Sequence, residues 1–461
     1  MSMIKNKIND LVNYIEKHLK PSLILVLSFF GVILIGSLLL MLPISHKNSL
    51  DFIDAAFTSV SATCVTGLMT INNYVDLTIF GQIIVLIMIQ IGGLGLMSFI
   101  SVFLMAVNNK LDYSNRSLLK DMLNVDSFEG IASFIKAIIK YTFLIEFIGY
   151  IILTTQLYNG SLYSIFQALF LSISAFCNAG MDILSLTSLM PYQCNIVVNI
   201  TVMILIVLGG LGFAVWFDIT RNLQIVLKMK YRFSYLIKSL KPHTKIVLEM
   251  TFYLILSGAL LTILFEYDNS LKELSFSNKI LASIFNSVTL RTAGFYTIDN
   301  SILKDPSKLF MSLYMLVGGS PGGTAGGLKT TTLFLMIYAV YTELKGKKNM
   351  HIFGRHITKK NFIKASAIIF LYFLFLFAGM LVLTSSQKFD FIDLLFEACS
   401  AIGTVGLSTG LTPYLTVLGK IIIMILMFVG RVGPTTLMLT LVNKEDDNNS
   451  IKYPMTEIMV G

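Results

Sequence analysis

The chain has 461 residues, 55% of them hydrophobic and only 13% charged, and its mean hydropathy is +0.76. A soluble domain carries about 25% charged residues, so this composition excludes one and points to a protein embedded in a lipid bilayer. The net charge of +9 follows a topological pattern set out below, and no nucleic acid is needed to explain it.

Residues 1–20 form a basic segment ahead of the first apolar run, 21–42. That run is longer than the ~7–15-residue core of a cleavable leader, and no small-x-small site follows Pro43. Next, Asp51-Phe52-Ile53-Asp54-Ala55-Ala56-Phe57 opens a helix of about three turns, too short to span, with its acids placed to favour the helix dipole. The loop Thr63-Cys64-Val65-Thr66-Gly67 follows, then the apolar run 79–107. These parts make up repeat 1, residues 21–107.

The same order returns three times. Repeat 2, residues 108–220 with its preceding cytoplasmic linker, has the span 141–157, a short helix over 162–175, the loop Phe176-Cys177-Asn178-Ala179-Gly180 and the run 195–217. Repeat 3, residues 221–343, has the span 246–265, a short helix over 278–289 and the loop Leu290-Arg291-Thr292-Ala293-Gly294. Its second helix is split into half-length runs, 309–317 and 331–341. Repeat 4, residues 344–461 with the C-terminal segment, has the span 361–384 and Asp390-Phe391-Ile392-Asp393-Leu394-Leu395-Phe396, close to the motif of repeat 1. The loop Ile402-Gly403-Thr404-Val405-Gly406 and the run 414–430 complete it. The four loop glycines lie 113, 114 and 112 residues apart, a periodicity that marks one unit used four times. The expected fold is all-α and integral to the membrane, with eight spanning helices and four re-entrant pore helices around one central pore.

Basic residues give the orientation. The N-terminus, 106–140, 218–245, 343–364 and the C-terminus hold 25 of the 35 Lys and Arg. The positive-inside rule therefore places both termini in the cytoplasm of a multi-pass cell-membrane protein and all four glycine loops outside. The outer half carries Asp51, Asp54, Asp76, Asp182, Asp299, Asp390 and Asp393, an arrangement expected to concentrate cations.

A loop can re-enter the membrane only where its polar backbone faces water or protein, and four loops around a common axis meet that condition. A potassium pore replaces the hydration shell with backbone carbonyls. Turning successive carbonyls to one axis needs unusual backbone angles, which glycine reaches cheaply. The short helices would also aim their negative C-terminal ends at the axis. No loop has serine at its glycine position, which favours potassium over sodium. The ion-binding set expected from this is Thr63, Cys64, Val65, Thr66, Gly67, Cys177, Asn178, Ala179, Gly180, Arg291, Thr292, Ala293, Gly294, Gly403, Thr404, Val405 and Gly406.

Each second helix carries a small-residue marker: Gly92-Gly93, Gly209-Gly210, Gly318-Gly319 and Gly430-Arg431. In repeats 1 and 2, close helix packing suffices to explain it. In repeat 3 the marker extends into Gly318, Gly319, Ser320, Pro321, Gly322, Gly323, Thr324, Ala325, Gly326 and Gly327, through which no helix runs. Two readings stand: a permanently broken helix, or a flexible gate across the pore. Arg431 either ties helices together through an acid or carbonyls, or raises a barrier to cations beneath the loops. Lys329 either adds a similar charge or snorkels to the interface. Arg291 is expected to brace its loop against an acid such as Glu397. His18, His46, His243, His351 and His356 read as surface residues, and the four cysteines lack metal-ligand spacing.

Rival classes fit less well. Gly322 to Lys329 nearly makes a phosphate-binding loop, but Leu328 displaces the lysine and no strand precedes it. A lipid-modifying enzyme would need clustered intramembrane acids or histidines, and the chain offers scattered ones such as Glu146; no enzyme activity or organic cofactor is expected. An alternating-access cation carrier remains the alternative, because carriers also use broken helices, though usually in twofold repeats.

From about residue 20 to the end, the chain resembles the Trk/Ktr/HKT superfamily of potassium transporters, and most of all the membrane-spanning B subunits of bacterial Ktr systems. The resemblance rests on Thr63 to Leu68, Asn178-Ala179-Gly180, Arg291 to Phe295, Gly403 to Leu407, Gly318 to Thr332 and Gly430-Arg431-Val432-Gly433-Pro434. It implies a homodimer with one pore per protomer, regulated by a separate cytoplasmic ring of nucleotide-binding subunits. It also implies that the glycine-rich segment and Arg431 form the gate. Sodium-stimulated potassium uptake is common in the Ktr branch.

Overall fold

The computed structural model describes residues 21–95, 131–230, 232–346 and 351–441. The expected N-terminal segment 1–20, most of the first basic linker and the end of the C-terminal segment lie outside the described residues.

The order long helix, short helix, glycine loop, helix recurs. The long helices are α1 (Pro21–Leu40), α4 (Ile131–Leu157), α9 (Pro242–Glu266) and α13 (Lys359–Ser386). The short ones are α2 (Phe52–Thr63), α5 (Leu162–Cys177), α10 (Phe276–Thr289) and α14 (Phe391–Gly403). After the loops come α3 (Ile79–Gly93), α6 (Ile196–Gly210), α11 (Asp305–Met315) and α15 (Val417–Val432). The remaining helices are α7 (Phe213–Met229), α8 (Phe233–Ser239), α12 (Thr330–Leu344) and α16 (Pro434–Leu441), and a hairpin pairs β1 (His351–Ile352) with β2 (Arg355–His356).

The long helices turn large apolar side chains outward, among them Leu27, Phe30, Phe147, Phe252 and Phe370, as helices bathed in lipid do. The short helices are buried instead. Each sinks one phenylalanine completely: Phe57, Phe170, Phe285 and Phe396 are all 0% exposed. The acids of α2 and α14 stand at the helix N-termini, as the sequence suggests. Asp51 and Asp390 occupy the N-cap positions of α2 and α14 but make no side-chain cap bond. Asp54 and Asp393, one turn on, pair with lysines: Lys420 Nζ lies 2.6 Å from Asp54 Oδ1 and Lys308 Nζ 2.7 Å from Asp393 Oδ1.

Among the described residues four helices are long and apolar enough to span, or five if α6 and α7, bent by 99°, count as one. Eight spans were expected, and the difference lies in the helices after the loops. Beyond the break foreseen in repeat 3, the helix ends at Gly93 in repeat 1, at Gly210 in repeat 2 and at Val432 in repeat 4. Just past these ends stand Gly95, Gly212 and Gly433 with φ of 79°, 90° and 89°, a backbone no right-handed helix contains.

Candidate cation site

The glycine loops share one backbone conformation. The residue two places before each glycine is left-handed: Val65 (φ 56°), Asn178 (60°), Thr292 (69°) and Thr404 (53°). The glycines follow at φ 100°, 66°, 81° and 93°. For β-branched Val65, Thr292 and Thr404 this costs about 1–2 kcal/mol each. Bonds to the short helices hold it in place. Thr66 N, Ala179 N and Val405 N each donate at 2.8 Å to the carbonyls of Ser61, Ser174 and Ser400, and Ala293 N donates to Thr289 O at 2.9 Å. Ser61 Oγ accepts from Gly67 N at 3.1 Å and Ser400 Oγ from Gly406 N at 3.0 Å, while Ser174 Oγ and Thr289 Oγ1 bond the carbonyls of Met181 and Phe295 at 2.6 Å.

The loops converge on one ring. A Cβ placed on Gly67 would stand 2.6 Å from Ala179 O, one on Gly180 2.7 Å from Ala293 O, and one on Gly294 2.5 Å from Val405 O. One on Gly406 would overlap Thr66 O, which closes the circle. Each glycine thus abuts the carbonyl that precedes the next one, in chain order, and the gap between first and last is sealed. Of the residues singled out in the sequence, Thr66, Gly67, Ala179, Gly180, Ala293, Gly294, Val405 and Gly406 meet here. Cys64 and Cys177 are buried free thiols, and Cys177 Sγ donates to Gln90 Oε1 at 3.6 Å.

The small-residue marker has a role beyond helix packing. A Cβ on Gly92 would overlap the carbonyl of Thr63, on Gly209 that of Phe176, and on Gly430 that of Ile402. In three of the four units, then, the helix after the loop rests on the backbone just before it, at the fourth residue ahead of the ring glycine.

Residues 318–327 are irregular and lie against these seats. Ser320 N donates to Gly210 O at 2.8 Å, Thr324 N to Gly209 O at 3.1 Å and Thr324 Oγ1 to Phe176 O at 3.0 Å. Phe213 N donates to Gly322 O at 3.0 Å, so the segment takes up backbone groups freed where α6 breaks. Space for Gly318 is bounded by Thr292, and for Gly326 by Thr404, placing the segment against loops three and four.

Two cations grip it. Arg431 donates to Thr324 O and to Gly92 O. Lys329 Nζ donates to Ala325 O at 2.7 Å and Gly326 O at 3.4 Å. Of the readings left open for Arg431, carbonyls rather than an acid are its partners, and Lys329 turns back toward the segment instead of snorkelling. Tyr372 Oη donates to Gly430 O at 3.1 Å, one residue before Arg431.

Several expectations need correction. Arg291 does not reach Glu397. Its guanidinium donates to Thr251 Oγ1 at 3.3 Å and lines a small cavity with Ile206, Val207, Gly210 and Val288. Glu397 instead ties down the stretch 408–412 that follows the fourth loop, accepting from Ser408 Oγ, from Thr409 N at 3.2 Å and from Thr412 Oγ1 at 2.9 Å. Nor are the outer acids all free to attract cations: besides the lysine-paired Asp54 and Asp393, Asp76 accepts from Asn72 N at 2.8 Å. Asp182 accepts from Ser188 Oγ at 2.6 Å and Leu184 N at 3.2 Å; burial raises its pKa, and these bonds oppose the shift. Tyr296 is pushed up to about 12, by burial first and then by the charges of Asp182 and Asp299.

One cluster escaped sequence reading. Glu146, 3% exposed within α4, accepts from Gln90 Nε2 at 3.1 and 3.3 Å, and Cys177 Sγ lies 3.9 Å from it. It backs loop two. An isolated acid within an apolar run was its only signal.

The fold is that of a helical, multi-pass membrane protein of the ion-transporter class. It matches the crystal structure of the potassium transporter TrkH from Vibrio parahaemolyticus with a TM-score of 0.71 at 18% identity, covering 91% of this chain and 84% of that one. The TrkH family model, described as a cation transport protein, matches residues 13–453, and the chain belongs to that family. Ktr system potassium uptake protein B of Bacillus subtilis is 36% identical over 465 residues, covering 100% of both chains. Potassium/sodium uptake protein NtpJ of Enterococcus hirae is 35% identical, covering 97% of this chain and 98% of that protein.

Proposed function

We propose that this chain carries potassium into the cell as the translocating subunit of a Ktr-type system, through a pore whose selective element is the ring at Gly67, Gly180, Gly294 and Gly406. The observation that carries the reading is the closure of that ring, each glycine against the carbonyl before the next. Left-handed residues alternate with residues of negative φ in every loop. Such a backbone turns successive carbonyls to one side, where they replace the water around a dehydrated cation. The C-terminal ends of α2, α5, α10 and α14 add negative potential. Potassium is named in both relatives above, and sodium in one, which supports potassium as the main cargo and sodium as a second transported or stimulating ion.

In this reading the repeats 21–107, 108–220, 221–343 and 344–461 each supply one wall, with eight membrane crossings in all. Residues 318–327, held shut by Arg431 and Lys329, form the gate. Both termini face the cytoplasm of the cell membrane, two copies form a dimer, and a separate nucleotide-binding ring regulates the pair from the cytoplasmic side.

The test is rubidium-isotope uptake into proteoliposomes driven by a potassium gradient. The reading expects external potassium to compete strongly and sodium weakly, with flux scaling with the gradient. A saturable exchange of fixed stoichiometry would favour the alternating-access carrier instead.

A further inference from the structure

The hairpin between α12 and α13 places two histidines side by side. Its turn residues, Phe353 and Gly354, have φ of 48° and 75°, the two positive values of a tight hairpin turn that matches the twist of the flanking strands. The resulting register sets His351 directly across from His356 and Ile352 across from Arg355. Both imidazoles are exposed, and their ring centres lie 5.4 Å apart with planes inclined at 56°.

We propose that His351 and His356 chelate one divalent transition-metal ion of the imidazole-preferring kind, such as zinc, copper(II) or nickel, with water filling the other positions. Two imidazoles on one tetrahedral metal, with metal–nitrogen bonds of about 2.1 Å, have ring centres about 5 Å apart. The observed separation needs only a small rotamer adjustment to meet that. The inclination matters as well: rings stacked flat would direct their nitrogens in parallel, whereas inclined rings let one nitrogen from each converge. Copper(II), nickel and zinc all favour imidazole nitrogen. Calcium and magnesium, which want oxygen ligands, find none in these two side chains.

The first strand and the turn are fastened to neighbouring elements, and the second strand is held to the first by the hairpin pairing. Tyr338 Oη of α12 donates to His351 O at 2.7 Å, and Lys245 Nζ stands 5.5 Å over the Phe353 ring. The chelate therefore forms on a preorganised pair, which lowers the ordering cost of binding. Among the described residues no cluster of three or more potential ligands exists, so affinity in the micromolar range is expected rather than the much tighter binding of a closed structural site.

The experiment titrates zinc into the full-length protein, purified in detergent without a polyhistidine tag, by calorimetry. It is paired with electron paramagnetic resonance of the copper(II) form. The wild type is expected to take up one equivalent at this site, with coupling to two imidazole nitrogens. His351→Gln and His356→Gln should each weaken zinc binding by about tenfold or more and reduce the coupling to one nitrogen. His46→Gln should change neither. Both hairpin positions are exposed, so an unchanged melting temperature accompanies these variants. Wild-type affinity in either hairpin variant would overturn the assignment, whatever the protein transports.

Discussion

Lys420 Nζ lies 2.6 Å from Asp54 Oδ1 although 366 residues separate them in the chain. The contact joins the fourth residue of α15 to the third residue of α2, and so fastens the last unit to the first. Lys308 on α11 meets Asp393 on α14 in the same way at 2.7 Å. Gln82, at the matching place on α3, donates at 3.1 Å to Tyr163 Oη of α5. Asn278 on α10 reaches Cys194 Sγ just ahead of α6 at 3.3 Å. Every junction between neighbouring units is thus buckled near the N-terminal ends of these helices, two of them by ions.

Removing one member of the Lys420–Asp54 pair is expected to cost stability because the other charge stays behind, largely out of water. Asp54→Ala should lower stability by about 2–3 kcal/mol, read as a drop in melting temperature in detergent. The exchange Asp54→Lys with Lys420→Asp should recover most of the loss. If the exchanged protein melts no higher than Asp54→Ala, the buckle is not an energetic unit.

The ring glycines have no room for a side chain. Gly406→Ser drives an atom into Thr66 O, and Gly67→Ser crowds Ala179 O. Each substitution is expected to reduce the potassium-to-sodium permeability ratio about tenfold, equivalent to ~1.4 kcal/mol of lost discrimination. Gly406→Ser should be the more damaging. Unchanged ratios in reconstituted vesicles would count against these residues as the selective element.

Val65 is β-branched and left-handed, yet the equivalent place in loop two holds asparagine, which tolerates that conformation far better. Val65→Asn is therefore expected to preserve selectivity and to raise stability by up to about 1 kcal/mol, partly offset by lost apolar packing. A loss of selectivity without a loss of stability would show that the valine side chain itself, rather than the backbone, shapes the site.

Arg431 grips the glycine-rich segment through Thr324 O and the α3 helix through Gly92 O. Arg431→Ala, or deletion of residues 320–326, is expected to raise rubidium uptake about tenfold, as expected when a positive charge and a physical obstruction leave the pathway. Uptake at the wild-type level in both variants would remove the gate from the account.

Asp182 offers a pH test. Burial raises its folded-state pKa above the ordinary aspartate value of 3.8, so the folded protein holds this proton more tightly than the unfolded chain does. That contribution to stability is complete below 3.8 and is lost as pH rises through the folded value. Asp182→Asn is expected to flatten this part of the stability profile, measured as melting temperature against pH. An identical slope in the variant would place the titration elsewhere.

The ring could be located from the sequence because its glycines keep a period of 112 to 114 residues while most of the rest of each unit drifts. The conformation at its heart is hidden in the sequence, since three of the four residues that adopt it, Val65, Thr292 and Thr404, are β-branched types that disfavour a left-handed backbone. Gly92 and Gly209 looked like ordinary packing glycines; only the assembled fold shows the carbonyls they rest on. Asp54 read as an open mouthpiece for cations because its lysine lies at the other end of the chain. For Arg291 the sequence suggests Glu397, which belongs to another unit and is already bonded by Ser408, Thr409 and Thr412. Local pattern recovered the elements and their order, and the misreadings fell where distant segments meet.

The central claim is that four peptide loops from one chain hold a dehydrated potassium ion on a shared axis. Anomalous scattering from crystals of the full-length protein grown in rubidium tests it most directly. The account predicts rubidium peaks on the axis enclosed by Gly67, Gly180, Gly294 and Gly406, within coordinating distance of the loop carbonyls, and their loss in Gly406→Ser. Rubidium bound only away from that axis, or to side chains rather than carbonyls, would contradict it.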